Sequence, residues 1–137
     1  MFEKLTDHLN LREKALDAAW LRNEVIAQNI ANVDTPGYKK KSVSFEEYLD
    51  QAVESGGFKG NTTDGRHMQL GAGNAENVPI KVTSDYSNLS TRLDGNNVDV
   101  EKEMADSAKN DIRYNTLIQS VSDSYKRLMS AISEGRR

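Results

Sequence analysis

At 137 residues the chain has room for one domain, or one small domain with long appendages. Hydrophobic residues make up 36% and gather towards the two ends, leaving a centre rich in Gly, Asn, Ser and Thr that does not suit a compact enzyme core. A net charge of −3 with cations and carboxylates intermixed leaves no basic stripe for a phosphate backbone, so nucleic acid is not an expected partner; the absence of cysteine excludes disulfides, thiolate metal sites and a cysteine nucleophile.

The opening stretch, MFEKLTDHLNLREKALDAAW, is interrupted by charges and lacks the apolar centre of a cleavable signal peptide. No apolar run reaches the roughly 18 residues of a membrane span, so any route out of the cytoplasm is one that needs no such signal. Leu5, Leu9, Leu16, Ala19, Ile26, Ile30 and Val33 step by threes and fours, with polar Arg12 and Asn23 filling the two gaps, which predicts a long helix. Leu11, Ala15, Ala18, Val25 and Ala27 widen that stripe enough to touch more than one neighbour. Trp20 is expected at a helix–helix contact. The helix should stop near Asn32, because Thr35-Pro36-Gly37-Tyr38 has proline where a type II turn fixes φ and glycine where it needs φ > 0.

Lys39-Lys40-Lys41 is the only cationic run and reads as a solvated face. Ser42 to Tyr48 reads either as a strand or as the start of a short helix running to Val53. Gly56, Gly57, Gly60, Gly65, Gly71 and Gly73 then punctuate a loop-rich stretch, and Val78 to Thr83 alternates like a short strand in which Pro79 argues for an edge position. A second long helix begins near Asp99, capped by Asn97 or Asp99, with Glu101 and Glu103 placed where the helix dipole favours negative charge. Met104, Ala108, Ile112, Ile118, Val121, Tyr125, Leu128 and Ile132 form one face of it, interrupted by Asn115. Asp123 and Arg127 make an i,i+4 pair, and Gly135 closes the helix.

The expected fold is therefore mainly α: two long terminal amphipathic helices forming a coiled-coil pair, parallel or antiparallel, and a loop-rich middle with short β elements. Residues 1–34 and 96–137 are the two helical parts and 35–95 the irregular middle. Helix–helix packing is assigned to Leu5, Leu9, Leu16, Ala19, Ile26 and Ile30 on one side. Met104, Ala108, Ile112, Ile118, Tyr125 and Leu128 take the other. Such a pair buries too little to offset the entropy of ordering it, so packing against further subunits is expected. No catalytic, cofactor-binding or metal-binding residue is assigned. His8 and His67 stand apart from any ligand partner, Asp64, Arg66 and His67 share a loop without a pocket, and no nucleotide or hydrolase motif appears.

The segment Asn29-Ile30-Ala31-Asn32, followed by Thr35-Pro36-Gly37-Tyr38-Lys39, resembles the signature of the flagellar basal-body rod protein family, which includes rod, hook and hook-associated axial proteins. Lys40 to Leu49, Gly95 to Val100 with Lys102-Glu103-Met104, and Thr63-Asp64 with Arg66-His67 narrow the resemblance to its proximal rod members. The resemblance covers about residues 5–50 and 90–132. It implies a structural subunit that polymerises through its terminal helices as part of the drive shaft for motility. Its expected partners are copies of itself, other rod proteins, the adaptor to the membrane ring and the flagellar type III export apparatus. Its place is the basal body, reached across the cytoplasmic membrane without a cleaved signal. Two alternatives stay open: a sibling proximal rod type, and a self-assembling coiled coil unrelated to flagella.

The resemblance also implies subunit contact at Asn29, Ala31, Asn32, Thr35, Pro36, Gly37 and Tyr38. Chemically, Asn29 and Asn32 can bond carbonyls at the helix end or reach a neighbour, Ala31 allows close approach, and Tyr38 can anchor the turn. Phe45 and Leu49 fit an export-gate element of Phe and a hydrophobic residue four positions on, and fit equally an ordinary i,i+4 apolar pair.

Overall fold

The first helix, α1 (Phe2–Ala31), carries Ala18, Ala19, Val25 and Ile26 on its buried side. It ends where the turn was predicted. Tyr38 N–H donates to Thr35 O at 3.3 Å and Gly37 sits at φ +72, so the proline–glycine pair reverses the chain. Strand β1 (Lys41–Ser44) follows, then helix α2 (Glu46–Glu54), strand β2 (Lys81–Ser84) and helix α3 (Val100–Glu134). This computed structural model describes residues 2–54, 78–85 and 93–135. The glycine-punctuated stretch from Gly56 to Gly73, with Thr63, Asp64, Arg66 and His67, lies outside them, as do the side chains of Leu5, His8 and Val53.

Both readings of Ser42 to Tyr48 are realised in succession, strand first and helix after, with Phe45 O accepting the first α2 bond from Leu49 N–H at 2.9 Å. The second strand is shorter than the alternation suggested. Pro79 has no N–H to give a ladder, and β2 begins only at Lys81. Ser42 lies beside Thr83, and Asp85 N–H donates to Lys40 O at 2.8 Å, so the two strands run antiparallel.

Two compact units are formed, Met1–Val43 with Val82–Arg137, and Ser44–Lys81. In the first, α1 and α3 lie side by side. Asn29 bonds Glu103, Asn23 bonds Asp111 and Arg12 bonds Ser124, so one helix descends as the other climbs and the pair is antiparallel. At about 1.5 Å per residue the two helices are about 45 and about 52 Å long. In the second unit Phe45 and Val78 are buried.

The inward side of α3 differs from the expected one. Glu103, Ser107, Asn110, Tyr114, Leu117, Val121, Ser124 and Leu128 are buried or half-buried and step by fours and threes. Met104, Ala108, Ile112, Ile118 and Tyr125, expected to pack on α1, are exposed. The inward seam lies one residue before the apolar one, which in a helix is a rotation of about 100°. Val121 and Leu128 are shared by both readings. On α1 the expectation holds better: Ala19 and Ile26 are buried and Leu9, Leu16 and Ile30 half-buried, whereas Trp20 is turned out to solvent. Asp123, paired with Arg127 by spacing, instead has its carboxylate 3.7 Å from Lys126.

Candidate functional site

The residues of the turn segment meet the start of α3 in a buried polar junction. Asn29, in the last turn of α1, has no solvent exposure. Its side-chain amide acts as the missing neighbour of a strand: Nδ2 donates to Lys41 O at 2.8 Å, and Oδ1 accepts from Lys41 N–H at 3.0 Å. Nδ2 also donates to Glu103 Oε2 at 3.0 Å, and the Tyr38 hydroxyl donates to Oδ1 at 3.3 Å. Every polar atom of this side chain is engaged within the chain. Asn29 therefore closes the fold rather than reaching a neighbour.

Asn96 does the same for the end of α1. The last carbonyls of a helix have no intrahelical donors. Asn96 Nδ2 lies 3.0 Å from Asn32 O, 2.9 Å from Val33 O and 3.0 Å from Thr35 O, so two N–H groups serve three carbonyls. Its Oδ1 accepts from Val98 N–H at 2.8 Å, and it too is fully buried. Asn32 adds a local bond, Nδ2 to Gln28 O at 2.7 Å.

The two turns that carry these amides touch through glycine. Gly37 N–H donates to Asp94 O at 2.9 Å, and both Gly37 and Gly95 adopt left-handed φ, +72 and +80. A side chain at either position would be strained. Lys39 Nζ donates to Gly95 O at 2.9 Å, and Asn97 joins Lys40 N–H to Asp85 O, which continues the small sheet.

Glu103 is the one buried carboxylate among the described residues, at 1% exposure. Oε2 takes the Asn29 amide; Oε1 lies 2.5 Å from the Lys40 ammonium and meets no donor in good hydrogen-bond geometry, so that oxygen is balanced by charge. Burial pushes the Tyr38 hydroxyl above its ordinary value of 10.0, and the neighbouring charge of Glu103 adds to the push. Further along the helices a third buried amide, Asn110, donates to Ala19 O at 2.7 Å and to Asn23 Oδ1 at 2.6 Å. The small Ala18 and Ala19 let the backbones come close enough for that reach.

Of the signature residues, Asn29, Asn32, Thr35, Gly37 and Tyr38 are thus gathered in one junction, while Ala31, Thr35, Pro36 and Gly37 present an exposed edge. Phe45 is buried and Leu49 half-buried. Asn96 and Glu103 carry the junction as much as Asn29 does. Glu103 reads from sequence as a dipole-favoured acid, and Asn96 only as part of a turn-like run before α3. Among the described residues no group of three His, Asp or Glu side chains is placed to hold a metal ion, and no helix is long and apolar enough to cross a membrane.

The family model described as flagella basal body rod protein matches residues 9–39, the stretch that contains α1's second half and the turn. The chain is 39% identical over 124 residues to the flagellar basal body rod protein FlgB of Bacillus subtilis, covering 90% of this chain and 92% of that protein. It is 29% identical over 142 residues to FlgB of Escherichia coli, with 98% and 99% covered. To FlgB of Proteus mirabilis it is 27% identical over 140 residues, with 98% and 100% covered.

Proposed function

This chain belongs to the flagellar basal body rod protein family, and on that premise we propose that it assembles through the outer face of its terminal helix pair. It is a structural subunit of the bacterial flagellar rod and serves motility. The observation that carries the assembly reading is the rotation of α3. Its inward seam holds Glu103, Asn110 and Ser124, while Met104, Ile112, Met129 and Ile132 are each more than half exposed. An apolar row of that length on one element marks a protein interaction surface. Trp20 on α1, also exposed, extends the same logic to the other helix.

In this reading residues 1–34 and 96–137 form the polymer core, and the middle segment is a spacer between them. Ala31, Thr35 and Pro36, on the exposed edge of the turn, contact the neighbouring subunit. The junction behind them holds that edge in place. The partners are copies of the chain, other rod proteins and the adaptor to the membrane ring, and the chain reaches them through the flagellar export apparatus. Phe45 supports recognition before folding, since its ring is enclosed once the chain is folded. The chain acts by packing and not by catalysis.

The test is Ile118→Asp with Met129→Asp. Both side chains are exposed, so the purified variant should keep the helix content and melting temperature of the wild type. Cells carrying it should lack complete rods in electron micrographs and fail to swim. Normal rods and swimming would overturn assembly through this face.

A further inference from the structure

Beside the junction, α1, β1 and α3 enclose a cleft of about 300 Å³. Five cations line it, Arg22, Lys40, Lys41, Lys109 and Arg113, against two carboxylates, Glu103 and Asp106. Five against two gives the lining a formal charge of +3 in a chain whose net charge is −3, with Arg22 bonded to Asn110 Oδ1 and Val43 O at 3.4 Å each. Both carboxylates are already answered from within: Glu103 by Lys40, and Asp106 by Lys109 at 3.6 Å. Lys41 uses its backbone on Asn29, and its ammonium makes no ion pair among the described residues.

A space of this size admits one or two side chains rather than a helix. The element best made to supply them is α2, whose sequence EEYLDQAVE holds only acidic charge. Glu47 and Asp50 are both exposed and, at i and i+3, stand on one edge about 5–6 Å apart. Glu46 and Glu47 stabilise the start of α2 through its dipole, but Asp50 lies beyond the first turn and has no such role.

We propose that the basic cleft of one copy receives the carboxylates of Glu47 and Asp50 from α2 of a second copy. The contact is head to tail, since the residues that receive differ from those that give. Such contacts build rings or helical filaments according to whether the rotation closes. The proposal rests on the rod reading, to which it adds a polar contact distinct from the apolar row of α3.

The absence of cysteine makes the contact directly testable. Copies carrying Lys41→Cys and copies carrying Glu47→Cys are expressed together, and isolated basal bodies are treated with a short bis-maleimide. The reagent suits a long Lys–Glu pair, whose α-carbons lie further apart than the roughly 7 Å a disulfide can span. The expected product is a joined pair of chains that forms only when both variants are present. Absence of the pair in basal bodies that contain the chain overturns this contact alone. Absence of the chain from the basal bodies overturns the rod reading with it.

A second measurement covers variants that assemble poorly. Lys41→Glu and Glu47→Lys should each weaken self-association of the purified chain by about tenfold at about 0.05 M salt, with the effect lost at about 0.5 M where the charges are screened. The double variant, with the charges exchanged, should recover most of the loss. Single variants that associate like the wild type, or a double variant worse than either, overturn the proposal.

Discussion

Asn96 matches Asn29 in the number of partners it holds, reaching three carbonyls and one amide. Replacing it with alanine withdraws its donors from these part-buried carbonyls and takes the acceptor from the buried Val98 N–H, an unmet buried group costing about 1–3 kcal/mol. Asn96→Ala should therefore destabilise the chain by about 3 kcal/mol in urea unfolding. Asn96→Asp should be worse, since it turns an acceptor towards the same carbonyls. Tyr38 gives a pH prediction. Its hydroxyl is held above 10.0 by burial and by Glu103, so folding favours the neutral phenol. That contribution is fully present below about pH 10 and is lost as pH rises through the folded-state value. Thermal melts from neutral to alkaline pH should fall less steeply above about pH 10 for Tyr38→Phe than for the wild type. The comparison separates the tyrosine from the lysines that titrate in the same range. Neither role was visible in the residues themselves. An asparagine before a helix reads as a local turn or cap, and nothing nearby reveals that its amide serves carbonyls 61 to 64 positions away.

At the scale of elements, local chemistry was informative and facing was not. Asp99 caps α3, accepting from Glu101 and Lys102 N–H. Gly135 stands at its C-terminal cap, and the proline–glycine turn ends α1, all as their residue types and spacing suggest. The inward side of α3 defeats the same reading because periodicity locates an apolar row without saying what covers it. Here a polar row sits beside it, and the close approach at Ala18 and Ala19 favours Asn110 over a larger apolar side chain. The turn yields a sharp prediction. Gly37→Ala forces a side chain into φ +72 with no atom in its way, so the cost is one of backbone strain alone, about 1–2 kcal/mol. Chemical denaturation should show that loss with an unchanged slope. Gly37→Asn, which tolerates left-handed φ, should recover part of it.

For the whole molecule, the division into terminal helices and a lean centre was legible because apolar residues are concentrated at the ends. The antiparallel sense of the pair was not, since both senses satisfy the same stripes. It is set by specific polar partners, Asn29 with Glu103 near one end and Glu13 with Tyr125 near the other. A pair built this way keeps its alignment by hydrogen bonds and leaves an apolar row exposed. Dilute chain should therefore bind a hydrophobic dye along its helices, and dye fluorescence should fall as assembly proceeds. Fluorescence that is unchanged on assembly would show that the apolar row is not what the subunits cover.

The reach of Asn96 back to the end of α1 also sets an order of events. The Asn96 amide cannot reach the carbonyls of Asn32, Val33 and Thr35 until more than sixty further residues have arrived, and closing so long a loop is slow compared with winding a helix. A chain threaded or synthesised from its N-terminus thus has a late clasp. Its first helix lacks that clasp until residue 96 emerges, and only then is the corner fixed.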